Sequence, residues 1–320
     1  MCKPGQRFYT ETFSRSLISA FIMSWTTIES DAGVFTDLIE SLGVSGIEVE
    51  ELYTLDEETL RNFSDIYGII FLFKWKKPDG KPDGELDYES IDRIFFGQQV
   101  INNACATQAL LSVLLNHNEE INLGPKLNEF REFTKLLPPD LKGEALGNSE
   151  DIRCAHNSFA RSDPFVSDET KVATEDDDVY HFIAYTNIDN TFYELDGLQP
   201  APINHGTCTK EEFPKRAVST IQSRIGKYDP SEIRFNLMAI SEDKRLTISN
   251  NSDLTEEEKA ASIAAEDDKR AAWKRENQLR RHNFLGLIVE LSKLMAKDRI
   301  AQNTWDTTIE EAKKMYTMEK

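Results

Sequence analysis

Apolar and polar positions follow two periods along this chain. Over "SDAGVFTDLIESLGVSG" (30–46), Val34, Phe35, Leu38, Ile39 and Leu42 recur at helical spacing. Ser30 and Asp31 are capping residues at its start, and Gly43 suits the position just past its end. "GIIFLFKW" (Gly68 to Trp75) is a short apolar run closed by the turn-rich "KKPDGKPDG", which predicts a buried strand and then a loop. "HFIAYTNIDNTFYELDGL" (His181 to Leu198) holds two β-rich runs about Asp189-Asn190, a two-residue hairpin turn. "IRFNLMAI" (Ile233 to Ile240) predicts a further strand. The charged stretch after Lys244 reads as a hinge, and from Leu254 the abundance of Ala, Glu, Lys and Arg favours helix.

One segment breaks these patterns. "FFGQQVINNACATQALLSVLLN" (Phe95 to Asn116) begins with amides and a thiol, then turns apolar on almost every face through Leu110, Leu111, Val113, Leu114 and Leu115. A helix apolar all round is buried on all sides, so this one is placed at the centre of its domain, with Asn102 or Asn103 as its cap. Ser158 to Asp178, dense in charge and interrupted by Pro164, predicts a long loop of the kind that is functional or disordered.

Composition narrows the function. The formal net charge of −19 over 320 residues repels phosphates and argues against nucleic acid. It suits a basic protein partner, although solubility alone accounts for it equally well. The four cysteines (2, 105, 154, 208) contain no CxxC pair, so neither a zinc site nor a disulfide scaffold is expected, and a reducing compartment is. No apolar run is long enough to span a membrane. "RSLISAFIMSW" (Arg15 to Trp25) faintly resembles a targeting segment, but it lacks a small-residue cleavage site and follows Glu11; residues 1–24 are read as an extra helix or a disordered extension.

The chemistry centres on Cys105. A thiol at a helix N-terminus sits in partial positive charge, which favours thiolate. It needs a base, and the base needs an acceptor to orient it. If Asp189-Asn190 is the turn, Ile188 pairs with Thr191 and His181 with Leu198, which puts His181 and Asp196 on one face of the sheet. A three-residue loop would separate them. Gln99, six residues before Cys105, lies ahead of the helix and can aim its amide at an oxyanion. Residue spacing alone leaves a second reading open, in which Cys105 is an inert core thiol and His181 is structural.

"QVINNACATQALLSVLLN" closely resembles the nucleophile motif of the ubiquitin C-terminal hydrolases, a family of papain-like cysteine proteases. The resemblance extends from about Trp25 to Lys314 and includes "YELDG" (Tyr193 to Gly197). It implies an α+β papain-like fold with a central antiparallel sheet flanked by helices, and a C-terminal α-helical tail. It assigns Cys105 as nucleophile, His181 as acid/base, Asp196 as its orienting group and Gln99 to the oxyanion hole. It makes 25–243 the catalytic domain, about 158–178 a crossover loop over the site, and 244–320 the tail. Alanine after the cysteine (Ala106), together with "EDIRCAHNSFAR" and "RRHNFLGLIVEL", is similar to the long-tailed branch, whose proteasome-associated member is the nearer match.

That branch implies ubiquitin as substrate, no metal or organic cofactor, and a place in the cytoplasm and nucleus. It implies a tail that docks onto a ubiquitin-receptor subunit of the proteasome or a related subunit of a chromatin-remodelling complex. In the tail Phe284, Leu287, Ile288, Leu291, Leu294 and Met295 form an apolar stripe. By default such a stripe packs within the fold; behind an extended charged segment it suits a partner's groove. The alternative from another class is a catalytically weak ubiquitin-binding scaffold.

Overall fold

A computed structural model describes residues 25–75, 84–101, 103–160 and 179–318, with side chains described as far as 314. The expectations for residues 1–24, for the 76–83 turn, for Asn102 as a cap and for the 161–178 part of the crossover loop lie outside the described residues.

Seven strands make one antiparallel sheet in the order β1-β7-β2-β4-β5-β6-β3 among the described residues. They are β1 (Ile47–Glu51), β2 (Ile66–Lys74), β3 (Glu85–Leu86), β4 (Tyr180–Ile188), β5 (Thr191–Leu195), β6 (Ile203–Thr207) and β7 (Asn236–Glu242). Alternation along the central strands feeds two cores. Ile70, Ala184, Met238 and Ile240 face one, with helices α1 (Ala32–Ser41) and α3 (Cys105–Leu114). Ile69, Phe71, Ile183, Tyr185 and Ala239 face the other, with α7 (Phe213–Ile225). The fold is α+β, with the remaining helices α2 (Glu57–Arg61), α4 (Gly124–Thr134), α5 (Pro139–Asn148) and α6 (Glu150–Asn157) around the sheet, and α8 (Lys244–Asn250) to α11 (Trp305–Met318) at the C-terminal end.

The sequence patterns meet this fold closely at the hairpin. Asp189 and Asn190 both take positive φ (50° and 56°), the left-handed pair that a two-residue turn requires. Ile188 pairs with Thr191 and Ala184 with Leu195. The ladder stops there, so His181 does not pair with Leu198. Its strand partner is Phe73, and Asp196 opens a turn in which Gln199 N–H donates to Asp196 O at 2.9 Å.

Three local expectations are corrected. No hinge follows Lys244: Asp243 accepts from Arg245 N–H and starts α8. Strand β7 begins at Asn236 rather than Ile233, because Phe235 N–H donates to Ile233 O in a tight turn that leaves Ile233 83% exposed. Ser158 is the residue that closes α6, so no loop begins at it.

The first long tail helix, α9 (Glu256–Arg281), starts from a capping box of Thr255 and Glu258 and packs onto α1 and α8. Arg270, buried, reaches Glu40, Glu48 at 3.3 Å and Asp243 at 2.9 Å. Asn277 donates to Gly33 O at 3.1 Å, and Trp273 covers Gly33. The following helix α10 (Leu285–Ala301) has no buried residue. Phe284, Leu287, Ile288, Leu291, Leu294 and Met295 are between 39% and 61% exposed.

Candidate active site

Helix α3 carries Cys105 as its first residue, and every residue from Ala106 to Leu114 is buried. The helix fits against the sheet only because Gly68 of β2 has no side chain: a Cβ there would lie 2.8 Å from Val113 and 2.9 Å from Tyr185 O. The expected asparagine cap is not formed at Asn103. Ala104 occupies the cap position in αR conformation with no side-chain bond, while Asn103 (φ 68°) donates its amide to Trp25 O at 3.1 Å. The first-turn N–H groups at Cys105 therefore face the site without an intramolecular side-chain cap, which keeps the positive end of the helix available to an anion.

The segment before Cys105 is laid along the same helix. Gln108 Nε2 donates to Gly97 O at 2.5 Å. Asn116, just past the far end of α3, accepts from Phe95 N–H at 2.7 Å and donates to Phe95 O at 2.9 Å. Gln98 N–H donates to Pro139 O at 2.8 Å, and Gln99 N–H to Gly197 O at 2.8 Å. The last bond puts Gln99, half-buried, beside the turn that carries Asp196. Glycine at 197 leaves room for this approach, since a Cβ would lie 2.4 Å from Gln108 Nε2 and 3.0 Å from Gln99 Cβ.

His181 and Asp196 are each 4% exposed. His181 Nε2 donates to Asp196 Oδ1 at 2.7 Å. The same carboxylate accepts from Leu198 N–H at 2.9 Å, and Gln199 Nε2 lies 3.4 Å from its other oxygen. Cys105 lies close enough to the His181 ring to help raise its pKa; with Nε2 committed to Asp196, Nδ1 is the nitrogen left for a thiol. Phe73 meets the imidazole edge to face at 5.9 Å, and its own ring carries the Arg224 guanidinium at 4.6 Å.

Burial alone would push the His181 pKa down. Hydrogen bonds and charge from Asp196 and Cys105 outweigh it, and the pKa is pushed up to about 9. Burial likewise works to raise the Asp196 carboxyl, but His181, the Leu198 N–H and the charge of Arg224 hold it below the usual carboxylate range. The site thus favours an imidazolium beside a carboxylate at neutral pH.

All four residues singled out in the sequence fall in this region: His181 hydrogen-bonded to Asp196, Cys105 beside the His181 ring, and Gln99 tied to Gly197. Gln108 and Asn116, which align the Gln99 segment, were not singled out; a lone amide inside an otherwise apolar helix face was the available signal. Elsewhere Glu48, Glu50 and Glu266 bring carboxylate oxygens within 4.8 Å of one another, and Lys244, Lys269 and Arg270 neutralise them.

Comparison with known proteins decides the family. The profile described as ubiquitin carboxyl-terminal hydrolase, family 1, matches residues 25–226, and a second one for ubiquitin carboxyl-terminal hydrolases matches 256–300. The chain belongs to the ubiquitin carboxyl-terminal hydrolases. This hydrolase is 71% identical over 298 residues to ubiquitin carboxyl-terminal hydrolase 2 of Schizosaccharomyces pombe, covering 93% of this chain and 99% of that protein. It is 39% identical to isozyme L5 of Dictyostelium discoideum, over 85% of this chain and 92% of that one. Among solved structures it is similar to Trichinella spiralis UCH37 bound to ubiquitin vinyl methyl ester, with TM-score 0.63, 37% identity and coverage of 78% of this chain and 99% of the other. The enzyme is a cysteine peptidase of the long-tailed, isozyme-L5 type.

Proposed function

We propose that this hydrolase cleaves the bond at the C-terminal glycine of ubiquitin through Cys105, with His181, Asp196 and Gln99 in the roles their positions suggest. The observation that carries this reading is one buried imidazole bonded to a carboxylate and set beside the thiol at the open mouth of α3. The Cys105 thiolate attacks the scissile carbonyl carbon and forms the C–S bond. The Gln99 amide and the Cys105 N–H receive the negative charge that develops on oxygen. His181 gives its proton to the leaving amine or alcohol as that bond breaks. Water then attacks the thioester, His181 takes the proton, and the thiolate leaves with ubiquitin released. Asp196 keeps the ring in place and its charge balanced throughout.

Two further elements belong to this reading. The exposed α10 stripe is the surface through which the enzyme joins the proteasome, by docking onto a ubiquitin-receptor subunit; a subunit of a chromatin-remodelling complex is the alternative partner. The free thiols Cys105, Cys154 and Cys208 suit a reducing compartment, and we place the enzyme in the cytoplasm and nucleus.

Hydrolysis of a fluorogenic ubiquitin C-terminal amide tests the first part. Cys105→Ala abolishes turnover while ubiquitin binding persists; retained turnover defeats the assignment. Leu287→Glu with Leu291→Glu tests the second, removing binding to the isolated proteasomal receptor while basal hydrolysis stays. Unchanged receptor affinity rules the stripe out.

A further inference from the structure

His156 of α6 is fully buried (0% exposed) and takes no part in the chemistry above. Its Nε2 lies 2.7 Å from Thr26 O, and its Nδ1 lies 2.7 Å from Thr107 Oγ1. A carbonyl oxygen only accepts, so Nε2 carries the proton. In the neutral ring Nδ1 is then an acceptor, and the Thr107 hydroxyl is its donor. Burial pushes the His156 pKa down and keeps the ring in that neutral form. Trp25 packs on the imidazole at 4.8 Å, and Thr26 is held in turn by Asn157 Oδ1, which accepts from its N–H and hydroxyl at 3.0 Å each.

We propose that His156 is a positioning residue for the Cys105 reaction: by accepting a hydrogen bond from the Thr107 hydroxyl, it fixes the first turn of the nucleophile helix against α6. Thr107 stands two residues after Cys105, in the first turn of α3, and is itself 0% exposed. A threonine in a first turn has other uses for its oxygen. It can bond to backbone groups nearby, where it competes for local donors or bends the turn. At this mouth those donors are the N–H groups that no side-chain cap occupies and that an anion at Cys105 would use. The His156 bond commits the Thr107 hydroxyl to the core instead. It also ties that first turn, through Thr26, to the chain entering α1. The inference rests on Cys105 being the nucleophile.

Paired variants separate positioning from mere stability. In His156→Asn the amide oxygen takes the place of Nδ1 and still accepts from Thr107, while the Thr26 bond is lost. In His156→Gln the amide nitrogen takes the place of Nε2 and still donates to Thr26 O, while the Thr107 bond is lost. Thr107→Val removes the hydroxyl and Thr107→Ser restores it. The readouts are kcat and KM for the ubiquitin amide, the rate of Cys105 alkylation by iodoacetamide resolved by peptide mass spectrometry, and the melting temperature. His156→Gln and Thr107→Val lower kcat about tenfold with KM within about twofold, and slow Cys105 alkylation in step. His156→Asn and Thr107→Ser stay within about twofold of the parent in kcat whatever their melting temperatures. The proposal is overturned if His156→Asn is as slow as His156→Gln, if Thr107→Val turns over at the parental rate, or if activity tracks melting temperature across the set. Should His156→Gln fail to fold, the two Thr107 variants decide. Failure of the nucleophile assignment shows separately, as turnover that survives Cys105→Ala.

Discussion

His181 Nε2 and Asp196 Oδ1 stand 2.7 Å apart, from a strand start and a turn 15 residues later in sequence. The type I′ turn at Asp189-Asn190 makes the pair possible, because it fixes which face each strand presents. The bond sets the proton affinity of the ring. Folding raises the His181 pKa to about 9, so the charged ring contributes stability fully below its unfolded value, about 6.5, and that contribution disappears as pH rises through about 9. In the proposed reaction the same loss removes the acid that protonates the leaving group. We predict an alkaline limb near pH 9 in kcat/KM. Asp196→Asn removes the carboxylate charge and moves that limb to lower pH, as steady-state rates across pH 6 to 10 will show.

Gln99 is held at its backbone by Gly197 O, so its side chain is free to serve an oxyanion. Gln99→Ala lowers kcat by about 10² to 10³ and leaves affinity for ubiquitin within about twofold. Stopped-flow turnover together with calorimetric titration of ubiquitin measures both. An equal loss of binding and rate would make Gln99 a substrate-binding residue instead.

Gly68 gives the nucleophile helix its seat on the sheet. Gly68→Ala drives a methyl into Val113 and the Tyr185 carbonyl, an overpacking that lowers stability by about 1–3 kcal/mol. Adding Val113→Ala relieves part of the clash, and only the Tyr185 O contact remains. Urea unfolding of the single and double variants measures the recovery.

Arg270 bridges the tail helix to the catalytic domain through Glu48, which is 0% exposed. Burial pushes the Glu48 pKa up, against the charges of Lys269 and Arg270. Arg270→Met leaves Glu48 and Asp243 without their shared partner, and stability falls by about 3–5 kcal/mol. Hydrogen exchange will show α9 opening before the central strands. Unchanged protection along α9 would mean that Trp273 and Asn277 suffice to hold it.

The parts of this structure legible in the sequence are those fixed by short-range rules. Asp189-Asn190 named its own turn, the unbroken apolar run from Ile69 to Phe73 named a buried strand, and a thiol ahead of an apolar run marked the mouth of α3. What stayed hidden depends on contacts between distant segments. Asn103 looks like a helix cap, but Trp25 O, 78 residues away, claims its amide. The residues after Lys244 look like a hinge because their charges are read as solvated. In the fold Lys244 pairs with Glu50, and Arg245 with Asp243 and Asp267, and a helix forms. His156 carried no signal at all, since its meaning lies in Thr26 and Thr107.

In the proposed reaction the Cys105 sulfur, set beside His181, is the atom that meets ubiquitin's C-terminus. Ubiquitin bearing a thiol-reactive C-terminal group, mixed with the full chain and mapped by peptide mass spectrometry, tests it most directly. One adduct on Cys105, strongly slowed in His181→Gln, is the predicted result. An adduct on Cys154 or Cys208, or none at all from a folded enzyme that binds ubiquitin, would contradict it.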